Sequence, residues 1–238
     1  MPDYSPVLAI VTGILEVAAG AYSLAGPGRR AIIRPVAAIF FLLAGYQFSE
    51  VLVCAHPGIH LFSRLAYLDI TWLPPFGLGL AVACAERGRK TLRAVVVLYS
   101  AAAAALCVWI LADPGVITRS VCELVIARYS VARPFDAAYG IFFQSALLWI
   151  VFGAGMAMAG AGDAASRKHL ANLQLGVLGF IAPSLAVRML FDEGPGDLLP
   201  SVMCHFALVL AVSLFGLVVR ERKFVRTAAA QTPSPSRP

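Results

Sequence analysis

The stretch His60–Leu80, "HLFSRLAYLDITWLPPFGLGL", decides the fold. It is long and apolar enough to cross a bilayer as a helix. It also carries Arg64, Asp69 and the pair Pro74-Pro75. A soluble core helix has no use for that combination. A membrane span tolerates it where the polar groups face protein or water rather than lipid.

The rest of the chain agrees with this reading. Of its 238 residues, 60% are hydrophobic and 13% charged, and the mean hydropathy is +0.81. A water-soluble domain of this size could not hide so much apolar surface. Seven apolar runs of roughly 18 to 24 residues stand out, each able to span about 30 Å of hydrocarbon. They cover Ser5–Ala25, Pro35–Cys54, Leu61–Cys84, Ala94–Leu111, Ala137–Gly160, Leu170–Leu190 and Leu199–Val219. None alternates strictly between polar and apolar, which excludes a lipid-facing β-barrel. The expectation is an all-α membrane protein, a seven-transmembrane-helix bundle.

Lys and Arg set its orientation. They gather in the first loop (Arg29, Arg30, Arg34), the third (Arg87, Arg89, Lys90, Arg93), the fifth (Arg167, Lys168) and the segment after the last span (Arg220, Arg222, Lys223, Arg226). The second and sixth loops have none. The N-terminus is therefore expected outside and the C-terminus in the cytoplasm. The net charge of +6 is a membrane charge pattern and gives no reason to invoke nucleic acid. The start, "MPDYS", has no basic n-region of a cleaved signal. One transmembrane domain is expected over residues 1–222. A basic and then disordered cytoplasmic tail is expected over 223–238.

A long external connection joins the fourth and fifth spans. From Ile117 it reads "ITRSVCELVIARYSVARPFD". Val121, Glu123, Val125, Ala127, Tyr129 and Val131 fall on one side of a period-two pattern, with Cys122, Leu124, Ile126 and Arg128 on the other. A short strand pair or an amphipathic segment over the outer mouth fits, acting as a lid or merely closing the bundle. The five cysteines argue against a disulfide framework. Cys54, Cys122 and Cys204 can all approach the outer face, and a single bridge among them is left open.

Polar groups inside the spans are unevenly distributed. Glu50 and Arg64 each lie about one helical turn below the outer surface. The tight loop "AHPGIH" makes their helices antiparallel neighbours, so the two either clamp the hairpin or border a ligand site. Asp69 sits about 12 Å down. The two prolines free the carbonyls of Ile70 and Thr71 within a turn of it. Tyr46 and Gln47 share a face with Glu50. Gln144, Arg188 and His205 lie in outer halves, and Glu16 near the middle of the first span. His205 reads as an interior histidine or a ligand-binding group; Arg188 pairs with Asp192, snorkels, or joins the site. The inner halves are mostly Ala, Val, Leu, Gly and Phe. Such side chains are rare and costly in spans, so a polar cavity opening outward is expected, lined by Glu50, Arg64, Asp69, Gln47, Arg188 and His205.

Catalytic constellations are missing. Cys54, His56 and His60 lack metal-ligand spacing because Pro57-Gly58 interrupts them. No Walker loop, nucleotide fingerprint, zincin pattern or nucleophile elbow is present. No enzyme, metal or cofactor is assigned. Small residues such as Gly13, Gly20, Gly153, Gly155 and Ala159 read as helix-packing positions.

The runs "PVAAIFFLLAGYQFSEVLV" and "SRLAYLDITWLPPFGLGLAV" resemble the seven-helix N-terminal sensor region of some bacterial histidine kinases. They also resemble small stand-alone bacterial seven-helix proteins of uncharacterised function. Gln47 and Glu50 match a "Q..E" pattern ending the second helix of the latter; Thr118, Arg119, Val121, Ile126 and Tyr129 match a run in their fourth loop. The chain departs from the kinases in having no kinase module. The resemblance implies a multi-pass protein of the bacterial plasma membrane, of sensor type. It would take a small-molecule ligand from the outside and act through a protein signalling partner. A transporter or channel subunit is the alternative; it would need a polar path through the inner half. A membrane-embedded enzyme is a more distant one.

Overall fold

The computed structural model describes residues 5–85, 88–122, 127–190 and 199–231, with the side chains of 128, 183–190, 199–206, 228 and 231 outside that description. The described residues form eight helical segments and one β-hairpin. In order these are α1 Val7–Leu24, α2 Arg30–Ala55, α3 His60–Thr71, α4 Leu73–Cys84, α5 Arg89–Ala112, β1 Ile117–Cys122, β2 Ala127–Val131, α6 Arg133–Gly160, α7 Ala164–Leu190 and α8 Leu199–Gln231. Among the described residues, α1, α2, α3 with α4, α5 and α6 make five candidate membrane spans. The surface agrees: Val97, Leu98, Ile141, Leu148 and Val212 are all more than 60% exposed. In water such a surface would drive aggregation, whereas acyl chains solvate it. The chain is a helical membrane protein.

Helix α2 is the central post. It packs against α1, α3, α4 and α8 and buries residues on more than one face, from Ile32 to Val53. Peripheral α5 buries only Leu92, Ala103, Leu106 and Ile110. The expected small-residue contacts are present. A Cβ on Gly13 would lie 3.0 Å from the Phe48 ring, and one on Gly20 would lie 3.0 Å from Phe41. Both pairs fit one antiparallel register of α1 on α2. Gly153 likewise leaves room for Leu92 of α5.

The proline pair breaks the third span into α3 and α4. Trp72, in right-handed helical conformation, both ends α3 and starts α4. Pro74 and Pro75 thus fall in the first turn of α4, where a missing N–H costs little. The break is stitched by local bonds: Trp72 N–H donates to the Asp69 carbonyl at 3.3 Å and Phe76 N–H to the Trp72 carbonyl at 3.2 Å. The Thr71 hydroxyl donates to the Tyr67 carbonyl at 2.5 Å.

The long connection folds as the expected strand pair. β1 and β2 are antiparallel, with Ser120 opposite Tyr129, Cys122 opposite Ala127, and an irregularity between Ile117 and Arg119. The uninterrupted period-two grouping does not survive the turn. Directly paired residues share a face, so Tyr129 sides with Ser120 and Cys122 rather than with Val121. At the other end, α8 does not stop at residue 222 but continues to Gln231.

Candidate functional site

The hairpin sits on the ends of α2 and α3. Three attachments hold it there. Cys54, on the last turn of α2, is disulfide-bonded to Cys122 at the end of β1, with the Cα atoms 5.7 Å apart. Ser63 Oγ of α3 lies 2.8 Å from Ser120 Oγ. Glu50 Oε1 accepts a hydrogen bond from the Ala127 N–H of β2 at 3.2 Å. Glu50 is 1% exposed, and a buried carboxylate that accepts a backbone N–H satisfies both groups at once.

Glu50 and Arg64 do not form the expected clamp. Among the described residues no ion pair joins them; Glu50 turns to the hairpin instead. Arg64 is half-buried, and its Nε is buried without a hydrogen-bond partner among the described residues. The physical reason is competition. A strand end offers a fixed N–H at the mouth, within reach of a carboxylate one turn below.

Asp69 is also half-buried. Its carboxyl packs on Gly45 of α2, where an added Cβ would come within 2.5 Å of Oδ2. Gln47 is buried on α2 beside Gly13 of α1. The structure therefore brings Asp69 of α3 against α2 and Glu50 of α2 against the hairpin, while Gln47 faces α1. The side chains of Arg188 and His205, and Asp192, lie outside the described residues.

Sequence reasoning missed the floor beneath the hairpin. Tyr67 of α3 meets Tyr129, Phe135 and Tyr139 edge-on, at ring centroid distances of 5.6, 6.2 and 5.3 Å. Phe135 stacks on Tyr139, and Trp109 of α5 closes the cluster edge-on to Phe135. Such pairs add about 0.5–1.5 kcal/mol each beyond area burial. Their spacing in sequence reads as ordinary span aromatics, so only the fold brings them together.

A second polar cluster closes the tail end. The Arg29 backbone N–H donates to Glu221 Oε1 at 2.9 Å, its Nε to Oε1 at 2.8 Å and its second guanidinium nitrogen to Oε2 at 2.8 Å. His169 Nε2 lies 3.7 Å from Glu221 Oε2, and both side chains are within 1% of fully buried. Burial alone would push the Glu221 carboxyl up, but the hydrogen bonds and charge of Arg29 hold it below its ordinary value. The Arg29 guanidinium is raised by that same hydrogen bond. Burial lowers His169, outweighing the nearby Glu221. Arg222 lies over the Tyr22 ring, 3.8 Å from its centroid, and donates to the Tyr22 carbonyl. Asp163 caps α7 by accepting the Ser166 N–H at 2.6 Å. Lys and Arg marked this end in the sequence, but nothing there showed that Glu221 and Arg29, 192 residues apart, would meet.

Among the described residues no group of three His, Cys, Asp or Glu side chains is placed to hold a metal ion. No protein-family model matches the chain, and comparison with curated proteins gives no match.

Proposed function

We propose that the chain is a seven-span protein of the bacterial plasma membrane, of sensor type, with its N-terminus outside and its C-terminus in the cytoplasm. Its ligand site lies in the outer half, between α2 and α3 under the hairpin, and its output passes to a protein partner. The observation that carries this reading is the seating of the hairpin. One strand is covalently tied to α2, and the other is held by the carboxylate of Glu50 inside a span. A disulfide belongs to an oxidising compartment, and the Lys- and Arg-rich loops lie at the other end. Both support the orientation.

In this reading Arg64 offers an unspent buried donor and Asp69 an acceptor to a small polar ligand that slips beneath β2. Occupancy competes with the contact between Glu50 and Ala127. Helix α2 then carries the change. Its 26 residues reach about 39 Å, of which about 32 Å separate Glu50 from Arg29 just before its other end. Arg29 grips Glu221 on α8, and α8 continues to Gln231 with Lys223 and Arg226 exposed for a partner. Transport is less well supported, because Arg29, His169 and Glu221 are engaged with one another where an inner path would open.

The test is a thermal-shift screen of small polar compounds on the purified chain in nanodiscs. A ligand should raise the melting temperature. Arg64→Gln and Asp69→Asn should melt near the parent temperature without ligand and lose the shift. If both variants simply fail to fold, these residues are scaffold and the reading falls.

A further inference from the structure

Glu16 has no part in the hairpin site or the tail-end lock. It lies on α1, is 1% exposed, and neither carboxyl oxygen has a hydrogen-bond partner among the described residues. A buried polar group left this way costs several kcal/mol in an apolar medium, on the order of the desolvation penalty itself. Membrane chains keep such a group in a span where it has work to do.

Its surroundings indicate the work. Glu16 forms part of the wall of a cavity of about 480 Å³ between α1, α2 and α8. The rest of the wall is uncharged, and three aromatic rings belong to it: Tyr22, Phe40 and Phe215. Tyr22 and Phe215 lie 5.3 Å apart, tilted by 41°. Leu15, Ala18 and Val212 line the cavity and are also exposed on the lipid-facing surface, so the cavity communicates with the hydrocarbon layer. A single acid set among aromatic and aliphatic walls is the chemistry that selects a hydrophobic cation over a neutral or anionic lipid. The acid supplies charge complementarity and the ring faces attract cations. Arg222 already occupies a face of Tyr22, which directs the ligand's charge toward the Glu16 end.

We infer that the pocket between α1, α2 and α8 is a binding site for small lipophilic organic cations, with the Glu16 carboxylate as counter-ion. Both Glu16 carboxyl oxygens lie behind the cavity wall, so binding of the cation requires the side chain to turn into the cavity by a change of rotamer. This inference does not rest on the outer-half site.

The experiment uses the full chain in nanodiscs and equilibrium binding of tetraphenylphosphonium, with tetraphenylborate as an anion of the same size and shape. The phosphonium should bind saturably, one per chain, and the borate should not. Glu16→Gln should weaken phosphonium binding at least tenfold. Ala18→Trp, placed on the lipid-exposed lip of the cavity, should do the same without lowering the melting temperature, so the site stays testable if Glu16→Gln folds poorly. Equal binding of both ions, no saturable phosphonium binding, or full affinity in Ala18→Trp would each overturn the inference.

Discussion

The carboxyl of Asp69 on α3 packs closely on Gly45 of α2. Alanine is the better helix former by about 1 kcal/mol, so Gly45→Ala should stabilise α2 if nothing stood in the way. Here the new Cβ would meet Oδ2 at 2.5 Å, and overpacking of that kind costs about 1–3 kcal/mol. The expected outcome is a neutral or destabilised Gly45→Ala protein, and a stabilised one when Asp69→Ala is made as well. A double-mutant cycle on thermal or denaturant unfolding measures this, and additive effects would show that the two residues do not touch. Glu50 invites a parallel test. Glutamine keeps an acceptor for the Ala127 N–H, whereas alanine leaves that buried donor unsatisfied at about 1–3 kcal/mol. Glu50→Gln should therefore unfold close to the parent and Glu50→Ala well below it. The sequence marked Glu50 as a polar residue needing a partner, but it named Arg64, because a strand N–H carries no side-chain signature.

At the scale of elements, a strand pair was one of the two readings that the alternation offered, though neither its face nor its bridge was legible. The turn shifts the parity, and three cysteines shared the same expected end. Choosing Cys54 with Cys122 takes the fold, which places the last turn of α2 beside the end of β1. The bridge closes a loop of 68 residues. On chain-entropy grounds a loop of this size is worth about 4 kcal/mol, and less if inserted helices already restrain the unfolded chain. Cys54→Ser should lower the melting temperature, and reductant should lower that of the parent but not of the variant. Reductant sensitivity in both would place the effect elsewhere. The break between α3 and α4 was legible from Pro74-Pro75. The break is bridged locally, by the Trp72 N–H on the Asp69 carbonyl and the Phe76 N–H on the Trp72 carbonyl.

At the scale of the whole molecule, composition and the spacing of apolar runs were enough to read a helical membrane protein, since burial in lipid acts on sums over many residues. The tail-end lock was not readable. It depends on one contact across 192 residues, and such contacts leave no local pattern. That lock ties the start of α2 to α7 and α8, so its protonation should govern global stability. The His169 imidazole, ordinarily titrating near 6.5, is lowered by burial despite Glu221, with Arg29 and Arg220 opposing its charge and Asp163 favouring it. Glu221 is lowered from about 4.5 because Arg29 outweighs its burial. Both groups bind protons more readily unfolded than folded. Their contribution is therefore complete above about pH 6.5 and is lost as acid is added, first through His169 and then, below the ordinary carboxylate range, through Glu221. The difference in melting temperature between the parent and His169→Gln in nanodiscs should be constant from pH 8 to 7 and should change progressively below 6.5 at the expense of the parent. His169→Gln should flatten the upper part of that loss and leave the lower part. Glu221→Gln should lose stability at neutral pH and flatten the lower part, because it removes the group on which Arg29 closes. A parent that gains stability over His169→Gln on acidification would mean that His169 gains its proton on folding, and the lock would then have to be held together by a histidinium paired with Glu221.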